Sequence, residues 1–395
     1  MRILLYLHSF EAGGVERVAL RLAGEWAARG QDVRVAMGRD TGPQRHHAPD
    51  NVVYDFARPS RLAAPFETLW MVFHLIGAIR RHRPDVLFCA GNTYTIVAIL
   101  VRLILGRQCP PTVCKLSNSL ERLDLPSPAR AAYGLWLRIH GIFIERFVGM
   151  APPMRVEIER SLEISGSRVE IIPDPALRLS EWQMLCGAAP PAPSRVRRFV
   201  AIGRITAQKN FRLLLEAFAD FAGPADRLLI VGEGPQRDAL LDLISQLGMA
   251  DRVSMPGHVQ SAIETLTSAD VFVLSSDYEG VPAVVVEALA AAVPIIATDC
   301  SASMRYLLAD GAFGTLVPIR DRAALARAMS GAPSRESLPA EAMRAMAAQF
   351  TVERAAAPYL EALNAEARSS IKSSGSSSPI WSRTRLGAGA ADTVR

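Results

Sequence analysis

Glu279 and Glu287 flank the turn Gly280-Val281-Pro282, between the apolar run Asp270-Val271-Phe272-Val273-Leu274 and a stretch rich in Val, Ala and Leu from Ala283 to Ala292. The run reads as a strand buried in a parallel sheet. Pro282 suits the first turn of a helix, where its missing N–H has no partner to lose. Such a passage puts Glu279 at the carboxyl end of a strand, in the crevice where open α/β sheets bind ligands. The free amides of Gly280, Val281, Ala283 and Val284 would offer donors to a polar or anionic ligand beside a carboxylate that accepts from its hydroxyls. Glu287 falls in the second turn of the helix, where a lone acid faces either solvent or a partner. A turn residue and an exposed helix acid are the plainer roles for this pair.

Two other strand-to-helix passages carry residues of the same kind. Arg198 to Ile202 reads as a strand, followed by Gly203-Arg204-Ile205-Thr206-Ala207-Gln208-Lys209-Asn210 and a helical pattern from Phe211 to Phe221. Gly203 permits close backbone approach, and Arg204 and Lys209 set two cations near a helix start, which suits two adjacent phosphates. At the amino end, the strand-like Arg2 to Leu7 leads through Gly13-Gly14 into an apolar helix ending near Trp26. Adjacent glycines there let a ligand pack against main chain, although the spacing is not the GxGxxG dinucleotide fingerprint.

The elements that position these residues alternate. Strand-like and helix-like runs succeed one another from Ile3 to Leu116, and again as Phe199–Ile202, Phe211–Phe221, Arg227–Val231, Gln236–Leu247, Val253–Met255 and Ala262–Thr267. This predicts two doubly wound α/β domains. A length of 395 residues with half of them hydrophobic supports two cores. Gly187 to Ser194 reads as a stiff, uncharged Pro/Ala connector, and Gly232-Glu233-Gly234-Pro235 is a further strand-to-helix turn.

Taken together, Gly13-Gly14, Gly203-Arg204 with Lys209-Asn210, Pro256-Gly257-His258, and Glu279-Gly280-Val281-Pro282 with Glu287-Ala288 resemble the retaining nucleotide-sugar glycosyltransferases of glycosyltransferase family 4. The resemblance implies the GT-B fold: two Rossmann-like domains facing across a cleft. On this chain the expected boundaries are 1–185 for an acceptor-side domain, 186–194 for a linker and 195–340 for a nucleotide-sugar domain. A helix over 341–366 would cross back onto the first domain, with Phe350, Tyr359 and Leu360 as docking candidates, and 367–395 would form a disordered tail. By the same likeness, Glu287 would hold the ribose hydroxyls and Glu279 the transferred sugar. Arg204 and Lys209 would grip the diphosphate, helped by main-chain donors at Gly14, while Gly13, Gly203, Gly234, Gly280, Val281 and Pro282 would belong to the same donor-binding set. The loop Met255 to Val259, with Gly257 and His258, would hold the base. Two departures stand out. Where family members often carry a histidine that contacts the donor sugar, the chain reads Lys115-Leu116-Ser117-Asn118-Ser119, so Asn118 becomes the candidate contact to sugar or acceptor. Asn118 hydrogen-bonds but takes up no proton near neutral pH. Ile171-Ile172-Pro173-Asp174-Pro175 replaces the more usual Pro-Asn-Gly turn, a change expected to alter only the hinge.

The implied reaction is transfer of a hexosyl unit with retention, UDP-sugar being favoured slightly over GDP-mannose, to a glycan or lipid-linked acceptor in surface polysaccharide or lipopolysaccharide assembly. The leaving diphosphate would help deprotonate the acceptor hydroxyl, with no cofactor and no metal required. A nucleotide-sugar epimerase or hydrolase, and a noncatalytic nucleotide-sugar-binding protein, remain as alternatives. The net charge is +5, yet no helix-turn-helix, zinc finger or aromatic strand platform supports nucleic-acid binding. The basic character is most concentrated at the end of residues 66–83, where aromatic and aliphatic residues run into Arg80-Arg81-His82-Arg83. This pattern fits either a helix against anionic lipid at the inner membrane face or a core helix with a solvated end. Five cysteines show neither a disulfide framework nor metal-ligand spacing. The chain opens directly on a strand, with no signal-peptide pattern, so a cytoplasmic enzyme is expected.

Overall fold

A computed structural model describes residues 1–375 except 12, 58–66, 123, 124, 193, 260 and 261. Two all-parallel sheets form the frame. The first contains β1 (Arg2–Leu7), β2 (Asp32–Met37), β3 (Val53–Phe56), β4 (Val86–Cys89), β5 (Thr112–Lys115), β6 (Arg146–Gly149) and β7 (Val169–Ile171), in the order β3-β2-β1-β4-β5-β6-β7. The second contains β8 (Arg197–Ile202), β9 (Asp226–Val231), β10 (Val253–Gly257), β11 (Val271–Leu274), β12 (Ile295–Thr298) and β13 (Gly314–Val317), in the order β10-β9-β8-β11-β12-β13. Central strands such as Val86–Cys89, Val271–Leu274 and Ile295–Thr298 are buried at every residue, as helices on both faces of a parallel sheet require. Strand order reverses between β1 and β4 and between β8 and β11, so each sheet has its crevice there. The architecture is GT-B, two Rossmann-like units facing each other across a cleft.

The chain crosses between the units twice, and the crossings run side by side. Leu177 N–H donates to the Phe350 carbonyl (3.2 Å), and Val352 N–H donates to the Leu177 carbonyl (2.8 Å). The helix Leu179–Gly187, expected inside the first unit, packs instead on the second: Trp182 Nε1 donates to the Arg344 carbonyl at 3.0 Å. The first crossing therefore comes at Asp174–Arg178, ahead of the expected boundary at 185, because the apolar face of this helix finds its partners in the second unit. The Pro/Ala connector only follows it.

The expected single helix over 341–366 is two. Ala340–Ala348 lies against the helix Ala283–Ala290, and only Val352–Gly375 returns to the first unit. Phe350 is fully buried at the break, while Thr351 bridges to Leu177. Tyr359 packs between Trp26 and Phe88, with ring centroids 6.1 and 5.7 Å away, and Trp26 Nε1 donates to the Ala356 carbonyl. Arg146 ties Glu366 at 2.7 Å, and Ala367 is buried. This docking carries the helix through 367–375, which had been expected in the tail; the rest of the tail, 376–395, lies outside the described residues. Strands β3, β7 and β13 escape the sequence pattern because their mixed burial leaves no continuous apolar run, and β6 because its apolar stretch is only Phe147-Val148 between Arg146 and Gly149.

His140 is buried on the helix Ser127–Phe143. The Thr95 hydroxyl donates to the Asn92 carbonyl (2.7 Å), leaving its oxygen to accept from His140 Nε2–H (3.1 Å). Nδ1 is buried and has no hydrogen-bond partner among the described residues, so protonation would add a buried donor with no acceptor. Burial accordingly pulls the imidazole pKa from 6.5 to about 4. A depressed folded-state value stabilises the fold fully above pH 6.5, and that contribution is lost as pH falls from there towards 4. His140→Gln is expected to flatten the pH dependence of urea unfolding in that window by up to about 1.4 kcal/mol per pH unit. Parallel slopes for variant and parent would contradict this assignment.

Candidate active site

The wall supplied by the second unit is a pair of loops laced together. After β8, the chain turns at Gly203 and makes one 3-10 turn, Ala207–Lys209, before Asn210 enters the left-handed region (φ 46°) to cap the next helix. Asn210 Oδ1 accepts from Leu213 N–H, while its Nδ2 donates to Asp277 (2.9 Å). Gln208 Nε2 donates to the Tyr278 carbonyl (3.0 Å), Asp277 N–H to the Gln208 carbonyl (2.8 Å), and the Ser275 hydroxyl to the Lys209 carbonyl (2.8 Å). These bonds set Lys209 Nζ 2.6 Å from Glu279 Oε1. A buried carboxylate needs such a partner, because leaving water uncompensated costs several kcal/mol. Arg204 is exposed on the same loop and, among the described residues, has no ion-pair partner.

Glu279 also meets the first unit. Its carbonyl accepts from Ser119 N–H at 3.1 Å. At Gly280, a Cβ would lie 2.5 Å from the Ser117 carbonyl, so only glycine permits this approach. Pro282 is the N-cap of the helix Ala283–Ala290, one place earlier than expected, and supplies no side-chain cap. That leaves the amides of Ala283 and Val284 directed at the cleft. Glu287 is buried, and Arg17 Nη2 of the first unit reaches its Oε1 at 3.1 Å.

Opposite, the helix Gly14–Ala28 starts at Gly13 with no side-chain cap, so a second set of free amides faces the cleft. Asn92 Oδ1 holds Ser117 N–H (2.8 Å), and Glu157 Oε1 accepts from the Ser119 hydroxyl (2.7 Å) and Glu121 N–H (2.9 Å), fixing the loop that carries Asn118. Lys115 and Asp174 form a 2.6 Å ion pair with side chains only 2% and 6% exposed. The altered Asp174-Pro175 turn therefore does more than change the hinge, because its carboxylate neutralises a buried lysine in the wall of the site.

Two connected cavities lie between the units. The smaller, about 280 Å³, is lined by Gly14, Asn118, Gly203, Arg204, Lys209, Glu279, Val281, Pro282 and Glu287 from the expected set, together with Lys115 and Asp174. The larger, about 740 Å³, is lined by Gly203, Arg204, His258 and Glu287 from that set, and by Arg17, Gln44, His47, Gly232 and Glu233. Four expected glycines do not line either cavity. Gly13 is the N-cap, and Gly280 is the contact to Ser117. Gly234 packs on the Ile205 carbonyl, 2.3 Å from where a Cβ would stand, and Gly257 (φ 86°) accepts from Gly232 N–H through its carbonyl (2.9 Å). Gly232 faces the cavity in place of Gly234. It needs φ 140° and would bring a Cβ to 1.9 Å from the Gly203 carbonyl. Arg17, Lys115 and Asp174 were not singled out as site residues, since a cation one turn into a helix or at the end of a strand carries no local signature. Among the described residues no group of three or more His, Cys, Asp or Glu side chains gathers as a metal site.

Comparison with known proteins gives the site its context. A family model described as Glycosyltransferase Family 4 matches residues 12–175, and one described as Glycosyl transferases group 1 matches 196–335. An uncharacterized glycosyltransferase of Methanocaldococcus jannaschii is 25% identical over 65% of the chain. The lipopolysaccharide core biosynthesis glycosyltransferase LpsE of Rhizobium meliloti is 31% identical over 42%. The matched stretches span 66% and 48% of those relatives' own lengths. Among solved structures, Anabaena HepE in complex with UDP and glucose superposes with a TM-score of 0.71 at 18% identity, covering 92% of this chain and all of HepE. The lipopolysaccharide outer core galactosyltransferase WaaB gives 0.67 at 16% identity, over 93% of this chain and all of WaaB. At such identities the likeness is one of fold.

Proposed function

Because the chain belongs to glycosyltransferase family 4, we propose that it transfers a hexosyl unit, with retention of anomeric configuration, from a nucleotide diphosphate sugar to a glycan or lipid-linked acceptor. The observation that carries this reading is the Lys209–Glu279 pair, held at the mouth of β11 beside two uncapped helix starts in a cavity of sugar size. Glu279 orients sugar hydroxyls, and Glu287 orients the ribose. A uridine donor is favoured over a guanosine one, in keeping with UDP in the HepE structure, and assembly of surface polysaccharide or lipopolysaccharide accords with the names of LpsE and WaaB.

In this scheme the bond from the anomeric carbon to the diphosphate oxygen breaks with its electron pair passing to the diphosphate. The acceptor oxygen bonds the same face of that carbon. The acceptor proton goes to the departing phosphate oxygen, so no enzyme nucleophile is needed. Arg204, Lys209 and the amides at Gly14, Ala283 and Val284 stabilise the negative charge that grows on the leaving group, the role a preorganised oxyanion site plays. Lys209 thus serves the phosphate while its pairing keeps Glu279 in place. Metal-independent transfer follows from that cationic set.

Purified protein with UDP-glucose or UDP-galactose is expected to release UDP slowly alone. Release should speed up many-fold on adding a lipid-linked glycan extract, with or without EDTA, and Lys209→Ala should lower the accelerated rate by about 10²–10³. Equal turnover without acceptor would point to a hydrolase or epimerase, and loss of activity with EDTA would remove the metal-independent scheme.

The acceptor reading also motivates a membrane contact at the inner face, in a cytoplasmic protein. No helix among the described residues is long and apolar enough to cross a membrane. The helix Glu67–His82 buries Met71, Leu75, Ile76 and Ile79 but presents Leu69 and Phe73, 51% and 67% exposed, ahead of Arg80 and Arg81. Exposed Leu103 and Ile104 stand on the neighbouring helix Thr95–Leu105. Phe66 lies outside the described residues. Apolar residues beside arginines suit an anionic lipid surface. The protein is expected to cosediment with vesicles containing anionic phospholipid and not with neutral ones, and Phe73→Ser should weaken that binding; an unchanged bound fraction would argue against it.

A further inference from the structure

The two cavities meet at a neck. Among the described residues, only Arg17, Gln44, Ile202, Gly203, Arg204 and Glu287 line both. On the reading of the site as a nucleotide-sugar cleft, the nucleoside occupies the larger cavity and the sugar the smaller, so the diphosphate that joins them must pass this neck. Arg204 guards it from the second unit. From the first unit, the only charged side chain at the neck among the described residues is Arg17, one turn inside the helix that begins at Gly13.

Arg17 is placed to serve two groups at once. Its Nη2 contacts Glu287 Oε1 at 3.1 Å, while its Nε is buried and has no hydrogen-bond partner among the described residues. A guanidinium presents five N–H donors in a rigid plane, so an edge left free beside one carboxylate can take a second anion. Arg17 lines both chambers, so an anion entering the neck meets a guanidinium whose donors Glu287 does not exhaust. Gly14 and Val15, at the start of the same helix, line the smaller cavity.

We propose that Arg17 is a diphosphate ligand supplied by the first unit, one part of its guanidinium holding the ribose carboxylate Glu287 and the other hydrogen-bonding the phosphates. The diphosphate is then gripped from both sides, by Arg204 and Lys209 on one wall and Arg17 on the other. The ion pair sets the distance between the ribose anchor and the phosphate anchor. Because Arg17 belongs to one unit and Glu287 to the other, a bound diphosphate also ties the two units together. Arginine is required for this double contact, since the point charge of lysine carries no planar fork.

The test is a calorimetric comparison of UDP with uridine, and of GDP with guanosine, on the full chain and its Arg17→Ala and Arg17→Lys variants, each first shown to unfold at a temperature near the parent's. The parent should prefer diphosphate to nucleoside strongly. Arg17→Ala should reduce that preference tenfold or more, the size of a lost hydrogen bond to a charged group. Arg17→Lys should recover only part of it, and Arg17→Met, which keeps the aliphatic packing, should behave as Arg17→Ala does. An unchanged ratio of diphosphate to nucleoside affinity in these variants overturns the role of Arg17 while leaving the donor site standing. A parent that binds neither diphosphate overturns the nucleotide-sugar reading itself, and the role of Arg17 with it.

Discussion

Two carboxylates buried between two parallel sheets, each facing a cation, are the constraint on which the rest of the molecule depends. A glutamate withdrawn from water is tolerated only when a positive group and hydrogen bonds replace its hydration. Glu279 meets this need within its own unit, through Lys209, and Glu287 meets it across the cleft, through Arg17. The lacing of residues 204–210 to 275–279 exists to keep the first pair in register, and the approach of the two units is fixed in part by the second. Lys115 with Asp174 repeats the solution in the opposite wall, supplied by the first unit. Such pairs contribute little net stability, yet removal of one partner leaves a buried charge, so they hold geometry more than they hold the fold.

That geometry sits on a chain that passes between the units twice at one place. Leu177 and Thr351 run parallel there, and Tyr359 anchors the returning helix between Trp26 and Phe88. Two adjacent strands of chain make a narrow connection, suited to relative motion of two otherwise separate sheets. Asp174 lies at the start of the first passage and pairs with Lys115 at the edge of the sugar-sized cavity, so hinge and site share a side chain pair. The helix starts at Gly14 and Ala283 approach from opposite walls. Bringing the walls together would concentrate both sets of amides on one anion and exclude water.

Much of this was legible in the residues, and the rest was hidden for identifiable reasons. The doubly wound sheets followed from alternating strand and helix runs, because parallel strands buried on both faces must be continuously apolar. Glu279, Glu287, Arg204 and Lys209 were singled out by their place at or just after strand-to-helix passages and by the family resemblance, and all four line one cavity. Glycines were harder to read. Gly203 faces the cleft, but Gly234 serves close packing on the Ile205 backbone and Gly257 a left-handed turn (φ 86°), and nothing local in a sequence separates these uses. Pairings that join distant segments, such as Arg17 with Glu287 or Lys115 with Asp174, are products of tertiary structure and leave no spacing to read. The boundary at 185 missed for the same reason: the partners of the helix Leu179–Gly187 lie in the second unit, and they decide where it docks.

The measurement that bears most directly on the central claim is a thermal-shift titration of UDP, GDP and their common sugar conjugates against the parent protein and Glu287→Ala. A ligand that binds only the folded state raises its stability in proportion to the logarithm of its concentration above the dissociation constant. If the cleft holds a nucleotide sugar through Glu287, one nucleotide series will raise the melting temperature of the parent, and the rise will be lost in the variant. No shift with any nucleotide at saturating concentration, or an equal shift in both proteins, would contradict the placement of the donor in this cleft.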